Sequence, residues 1–133
     1  MNQEQKNAWQ RTHRKLNGNI CTKKYEKTKK GFLVRLYRNM QSRVSGVQKL
    51  KSHLYEGKSL LSRDEFYSWT ESNKQFHNLF DAWENSNYER RLTPSVDRID
   101  SSLGYELHNM EWIPFHENCR RGALSKLKLY YGK

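Results

Sequence analysis

The sequence predicts an α+β fold: a mainly helical N-terminal part followed by a strand–loop–strand–helix segment. Three observations lead there. Apolar residues recur at three- and four-residue steps from Phe32 to Val44 and again from Phe66 to Trp83, as amphipathic helices require. The pattern then changes to short extended runs bounded by Pro94 and Pro114. The length, 133 residues, suits one ordinary domain and is too short for two independent cores. Only 35% of residues are apolar against 29% charged, so the core must be small and rest on the four Trp, eight Tyr and five Phe.

Residues 1–30 read as a basic, flexible arm. Met1 to about Asn19 is polar, with Trp9 and Leu16 as its large apolar residues and no period, hence mobile or partly helical. Thr22 to Gly31 then gathers Lys23, Lys24, Lys27, Lys29 and Lys30 around Tyr25, a composition that suits a phosphate backbone with base stacking, or a plain flexible linker.

Residues 31–91 form a helical lead-in. From Phe32 to Ser45 the stripe Leu33, Leu36, Tyr37, Met40 and Val44 belongs to the core, Arg35, Arg38 and Arg43 lie off it, and Gly46 stops the helix. A polar basic segment runs to Lys58. Ser62 with Glu65 is a capping box, a hydroxyl and a carboxylate spaced to satisfy the first free amides of a helix. Phe66 and Trp69 give that helix its inner face. Ser72-Asn73-Lys74-Gln75 repeats the signal before Phe76, Leu79, Phe80 and Trp83, so two short helices or one kinked helix fit equally. Asn85-Ser86-Asn87 ends the helical part.

Residues 92–130 carry a hairpin and a helix, and 31–130 should make one compact domain. Pro94 fixes an extended start, and Val96 and Ile99 mark a strand. Ser101-Ser102-Leu103-Gly104 is a loop, and Met110 to Ile113 returns as a strand that Pro114 stops. Cys119, Ala123, Leu124 and Leu127 fall at helical steps.

The formal net charge of +11 is concentrated in residues 1–63, where Glu4, Glu26 and Glu56 are the carboxylates set against many Lys and Arg. A polyanion is the partner this predicts, since each phosphate neutralised releases counterions. No run of eighteen apolar residues and no apolar leader occurs, so no membrane partner and a cytoplasmic location are expected. Cys21 and Cys119 lack metal or disulfide spacing and read as free thiols.

The stretch Pro94-Ser95-Val96-Asp97-Arg98-Ile99-Asp100, with Gly104-Tyr105, Asn109-Met110, Trp112 and Glu117-Asn118, resembles the HNH (ββα-metal, His-Me finger) endonucleases, especially small phage-encoded and homing-type members. The strong part covers about 30 residues. The resemblance implies an HNH-like ββα-metal module and a divalent-metal-dependent DNA endonuclease or nickase in a bacterial host, of phage or prophage origin. In that family a strand acid and a helix residue hold one metal, a middle asparagine braces the loop, and a histidine beside the acid activates water. Asp97 falls at the acid, Asn109 at the brace and Asn118 at the helix ligand. Arg98 stands in the histidine's place.

Oxygen donors of this kind suit Mg²⁺ or Mn²⁺, one ion, with water and phosphate completing the shell. The same residues also admit a structural role, with Asp97 paired to Arg98 or Arg120 and Asn118 capping a helix. Arginine stays protonated and cannot accept the water's proton, so Arg98 is suited to clamping phosphate. Asp100, His108 and His116 remain as candidate bases. The expected nucleic-acid contacts are Lys23, Lys24, Lys27, Lys29, Lys30, Arg35, Arg38, Arg43, Arg98, Arg120 and Arg121, and the expected partner is double-stranded DNA. Without the histidine, a nuclease-derived DNA-binding or regulatory protein that cuts weakly or not at all is the alternative. No zipper, repeat or base-reading motif defines an oligomeric state or a sequence preference.

Overall fold

The computed structural model describes residues 1–17, 20–46 and 52–131. Asn19, at the end of the polar opening stretch, and residues 47–51 of the basic segment lie outside the described residues. The protein divides into two units, Met1–Leu36 and Tyr37–Lys133. The division falls inside a helix, not at the expected boundary after residue 30.

The described residues of the first unit are mainly helical, in line with the partly helical alternative for the opening stretch. Helix α1, Gln3–Asn17, begins with a capping box. Gln5 N–H donates to Asn2 Oδ1 at 2.8 Å, and Asn2 N–H donates to Gln5 Oε1 at 3.0 Å. Trp9 and His13, one turn apart, stack at 4.4 Å on its exposed surface. Helix α2, Ile20–Glu26, gives way to α3, Lys29–Val44, at Thr28. The Thr28 hydroxyl accepts from Gly31 N–H at 3.1 Å and donates to the Tyr25 carbonyl at 2.6 Å. It thereby serves the start of one helix and the end of the other.

In the second unit the end of α3 buries Tyr37 and Met40, as its periodicity predicts. A short helix α4, Ser52–Tyr55, follows. Helix α5, Arg63–Glu71, starts from the complete Ser62–Glu65 capping box. Asn73 caps a separate helix α6, Lys74–Asn85, by accepting from Phe76 N–H at 3.1 Å, so the two-helix alternative holds. The end of α6 is a Schellman closure: Tyr88 N–H reaches Trp83 O at 2.8 Å and Asn87 N–H reaches Glu84 O at 3.0 Å. Asn87 and Tyr88 both adopt φ of 62°, and the Tyr88 ring meets Trp83 edge-on at 4.9 Å. That ring contact offsets the cost of a left-handed tyrosine.

Strand β1, Pro94–Arg98, pairs antiparallel with β2, Met110–Pro114, in a register that sets Val96 against Trp112 and Asp97 against Glu111. Side chains alternate between faces along a strand. Val96 and Trp112 therefore turn into the core, where Trp112 meets Phe66 of α5 at 6.2 Å and Phe76 of α6 at 4.6 Å and stacks on Trp69 at 5.8 Å. Phe66, Phe76, Phe80 and Trp83 are buried as expected, and each ring of this kind contributes about 2 kcal/mol by leaving water. Helix α7, Phe115–Tyr131, follows β2 directly and packs on both strands. The result is a two-stranded sheet with α6 on one face and α7 on the other. The apolar steps of α7 do not enter the core: Cys119, Ala123, Leu124 and Leu127 are exposed.

Candidate functional site

The loop between the strands is closed by Asn109, which is 3% exposed. Its Oδ1 accepts from Asp100 N–H at 2.8 Å, and its Nδ2 donates to the carbonyls of Asp100 at 3.0 Å and Gly104 at 2.8 Å. The loop is also pinned from outside. Gly104 lies so close to the chain at Ser59 that a Cβ would fall 2.1 Å from the Ser59 carbonyl oxygen. Leu61 N–H donates to Tyr105 O at 2.9 Å, and Tyr105 N–H donates to Ser59 O at 2.8 Å. Leu60 thus forms an isolated parallel bridge with Tyr105 of the loop.

Asn118 on α7 faces β1 beside the strand position two residues before Asp97. Asn118 Nδ2 donates to Ser95 Oγ at 3.4 Å, and Ser95, two residues before Asp97, lies on the same face of the strand. The Ser95 hydroxyl proton is committed to the Ile113 carbonyl at 3.0 Å, so its oxygen can only accept. That fixes the Asn118 amide with its NH₂ toward Ser95 and leaves its carbonyl oxygen outside this bond.

Arg121 dominates the same face. Its Nη1 donates to Asp97 Oδ2 at 2.9 Å and also to Glu111 Oε1, while its Nε donates to Glu117 Oε1 at 3.3 Å. Three carboxylates from β1, β2 and α7 therefore share one guanidinium. Asp97 is paired, but to Arg121, not to Arg98 or Arg120. Arg120 instead grips Glu117 at 2.5 and 2.9 Å. These bonds, with the Arg120 charge and then Arg121, hold the Glu117 carboxyl at about 2 against the opposing effect of desolvation. The bonds to Glu111 and Asp97 raise Arg121 further above its ordinary value. Glu111 and Glu117 were missed as site residues. Glu111 could have been found by counting the hairpin register outward from the loop, which sets it opposite Asp97.

Arg98 is not brought to Asp97. One residue on, it turns to the opposite face, where its Nη1 donates to Leu103 O at 3.0 Å and Leu54 O at 3.3 Å. Its guanidinium lies 4.1 Å from the Tyr55 ring centroid and 5.8 Å from that of Tyr105. In this structure its Nη1 ties the hairpin loop to α4.

The candidate bases are separated. Asp100 accepts from the Ser102 hydroxyl at 2.6 Å and the Ser102 amide at 2.9 Å, and these bonds hold its carboxyl below the ordinary range. His108 is exposed and lies 3.3 Å from Glu106. His116 is exposed on the first turn of α7.

Lys23, Lys24, Lys27, Lys29 and Lys30 are all exposed in the first unit, where Arg35 pairs with Glu26 at 3.0 Å. In the second unit Arg38 is exposed. Arg43 bonds the Tyr105 hydroxyl at 3.1 Å and lies over Tyr55, so it supports the hairpin loop. An open groove of about 470 Å³ lies elsewhere, lined by Asp64, Glu65, Ser68, Trp69, Ser72 and Leu107, and its carboxylates disfavour an anion.

Among the described residues no group of three or more His, Cys, Asp or Glu side chains is arranged to hold a metal. A two-ligand set is a different arrangement. Asp97 offers carboxylate oxygen and Asn118 an amide oxygen, both hard donors of the kind Mg²⁺ takes when waters complete its shell. The donor chemistry fits, on condition that Arg121 yields the Asp97 oxygen. No described helix is long and apolar enough to cross a membrane. No family model matches this chain, and neither a curated protein nor a solved structure matches it.

Proposed function

We propose that this protein is a divalent-metal-dependent DNA endonuclease or nickase of the HNH type, hydrolysing phosphodiester bonds, as small phage-encoded members do. The observation that supports the reading is the bond from Asn118 on α7 to Ser95, two residues before Asp97 on the same face of β1, behind a loop closed by Asn109. Asp97 and Asn118 would hold one Mg²⁺ or Mn²⁺. Bound there, such an ion supplies Lewis-acid stabilisation of the charge that develops on phosphate and leaving oxygens. Asn109 keeps the loop and hence β1 in place, and Ser95 orients the Asn118 amide. Asp100, held acidic by Ser102, is a weak proton acceptor; of the two histidines, His116 shares α7 with Asn118 while His108 pairs with Glu106, so His116 would take the proton of the attacking water. The exposed lysines of the first unit would hold duplex DNA through its phosphates.

A second reading is a DNA-binding protein that does not cut. It is favoured by the pairing of Arg121 with Asp97 and by Arg98 standing where a base would be needed. A supercoiled plasmid with Mg²⁺ or Mn²⁺ separates the two. Wild type should nick, while Asp97→Ala and Asn118→Ala should lose nicking; equal nicking by all three would reject the assignment. Salt-sensitive binding without nicking supports the second reading.

A further inference from the structure

We propose that Arg121 is an internal latch on Asp97, a built-in cation that a divalent metal must displace and that a phosphodiester draws away. The inference rests on the metal-dependent reading of the Asp97–Asn118 seam and adds how that seam is opened.

Three features of the geometry support it. Arg121 Nη1 lies 2.9 Å from Asp97 Oδ2, so guanidinium and metal compete for the charge of one carboxylate and exclude each other on that oxygen. The latch is anchored by residues outside the proposed ligand pair, through Nη1 to Glu111 on β2 and Nε to Glu117 on α7. Nor is it sealed: the Arg121 side chain keeps 39% of its exposure and Glu111 keeps 41%. Half-exposed ion pairs are individually weak, so this one can open.

A guanidinium on a long side chain has a better partner in a phosphodiester, which accepts two parallel hydrogen bonds from its planar fork. Transfer of Arg121 from Asp97 to phosphate would uncover the carboxylate as substrate arrives. By linkage, a phosphate held by Arg121 and a metal held by Asp97 then strengthen one another. Without DNA the protein should bind metal weakly, which protects the cell from a charged nuclease site. Glu111 and Glu117 are positioning residues in this scheme, since they act through Arg121.

The test is Mn²⁺ binding in the absence of DNA, read by the electron paramagnetic resonance signal of free Mn²⁺ in titrations of the full chain. Arg121→Gln should bind one Mn²⁺ at least tenfold more tightly than wild type, and Asp97→Asn in that background should abolish the gain. Arg121→Lys keeps the cation and should stay near wild type. Arg121→Ala removes the cation in a second way and should show the same gain, which keeps the latch testable if Arg121→Gln does not fold. Wild-type affinity in folded Arg121→Gln or Arg121→Ala, or a gain that survives Asp97→Asn, would each overturn the latch. Plasmid nicking keeps the two ideas apart. Asp97-dependent nicking with no Mn²⁺ gain removes the latch alone, whereas an Asp97-dependent gain in a protein that never nicks removes the cutting alone.

Discussion

The side chain of Asn109 donates to the Gly104 carbonyl at 2.8 Å, so the end of the hairpin loop is tied across its width by one buried amide. The same amide also satisfies the backbone N–H and carbonyl of Asp100. Asn109→Ala leaves three backbone groups to find other partners and should destabilise the protein by about 2 kcal/mol. Asn109→Asp should do no better, because an ionised carboxylate cannot donate to either carbonyl. Urea unfolding followed by tryptophan fluorescence measures both, and an unchanged midpoint in Asn109→Ala would remove the brace from the account of the loop.

Gly104 is required for proximity. A Cβ there would sit 2.1 Å from Ser59 O and 2.5 Å from Ser59 N, backbone atoms that cannot swing aside. Gly104→Ala should separate the loop from segment 59–61 and cost about 3 kcal/mol, at the upper end of overpacking effects. Hydrogen exchange offers a local readout: the amides of Leu61 and Tyr105, paired across this contact, should lose protection before those of β1 and β2.

Asp100 should make the loop acid-sensitive. Its folded pKa lies below its ordinary 3.8, chiefly because the Ser102 hydroxyl and then the Ser102 amide bond the carboxylate. A depressed carboxyl contributes stability that is complete above its ordinary value and is lost as pH falls below that value through the folded one. Ser102→Ala removes the larger cause and should move the Asp100 midpoint upward toward 3.8 in a carboxyl-carbon NMR titration. An unmoved midpoint would show that the hydroxyl is not what holds the carboxyl down.

The basic first unit makes a prediction about salt. If Lys23 and Lys24 contact phosphates, Lys23→Gln with Lys24→Gln should weaken binding to every duplex alike and lower the magnitude of the log–log salt slope by about 1 for each lysine. Fluorescence anisotropy on two unrelated duplexes reads both quantities. Loss confined to one duplex would instead mean that these side chains read bases.

Much of this fold was legible because its signals are local. Ser62 and Asn73 cap the helices they announce, the stripe from Leu33 to Val44 lies on a helix, and Pro94 and Pro114 bound the strands. The capping box at Asn2 and Gln5 is equally local, but a search for apolar period passes over it in so polar a segment. The site was legible only in part. The brace at Asn109, which the resemblance implies, acts within one loop, whereas the surroundings of Asp97 depend on which residues stand across the sheet and above it.

The sequence by itself determined the order of elements, the concentration of positive charge in the first half, and the spacing that brings Asp97, Asn109 and Asn118 into one hairpin and helix. Tertiary structure alone decided their partners. Strand alternation turned Arg98 away from its neighbour Asp97, and antiparallel register set Glu111 opposite Asp97. Helix α7 then laid Arg121 over both. Ion pairing depends on distance in space, and neighbours along a strand point to opposite faces while residues far apart in the chain converge.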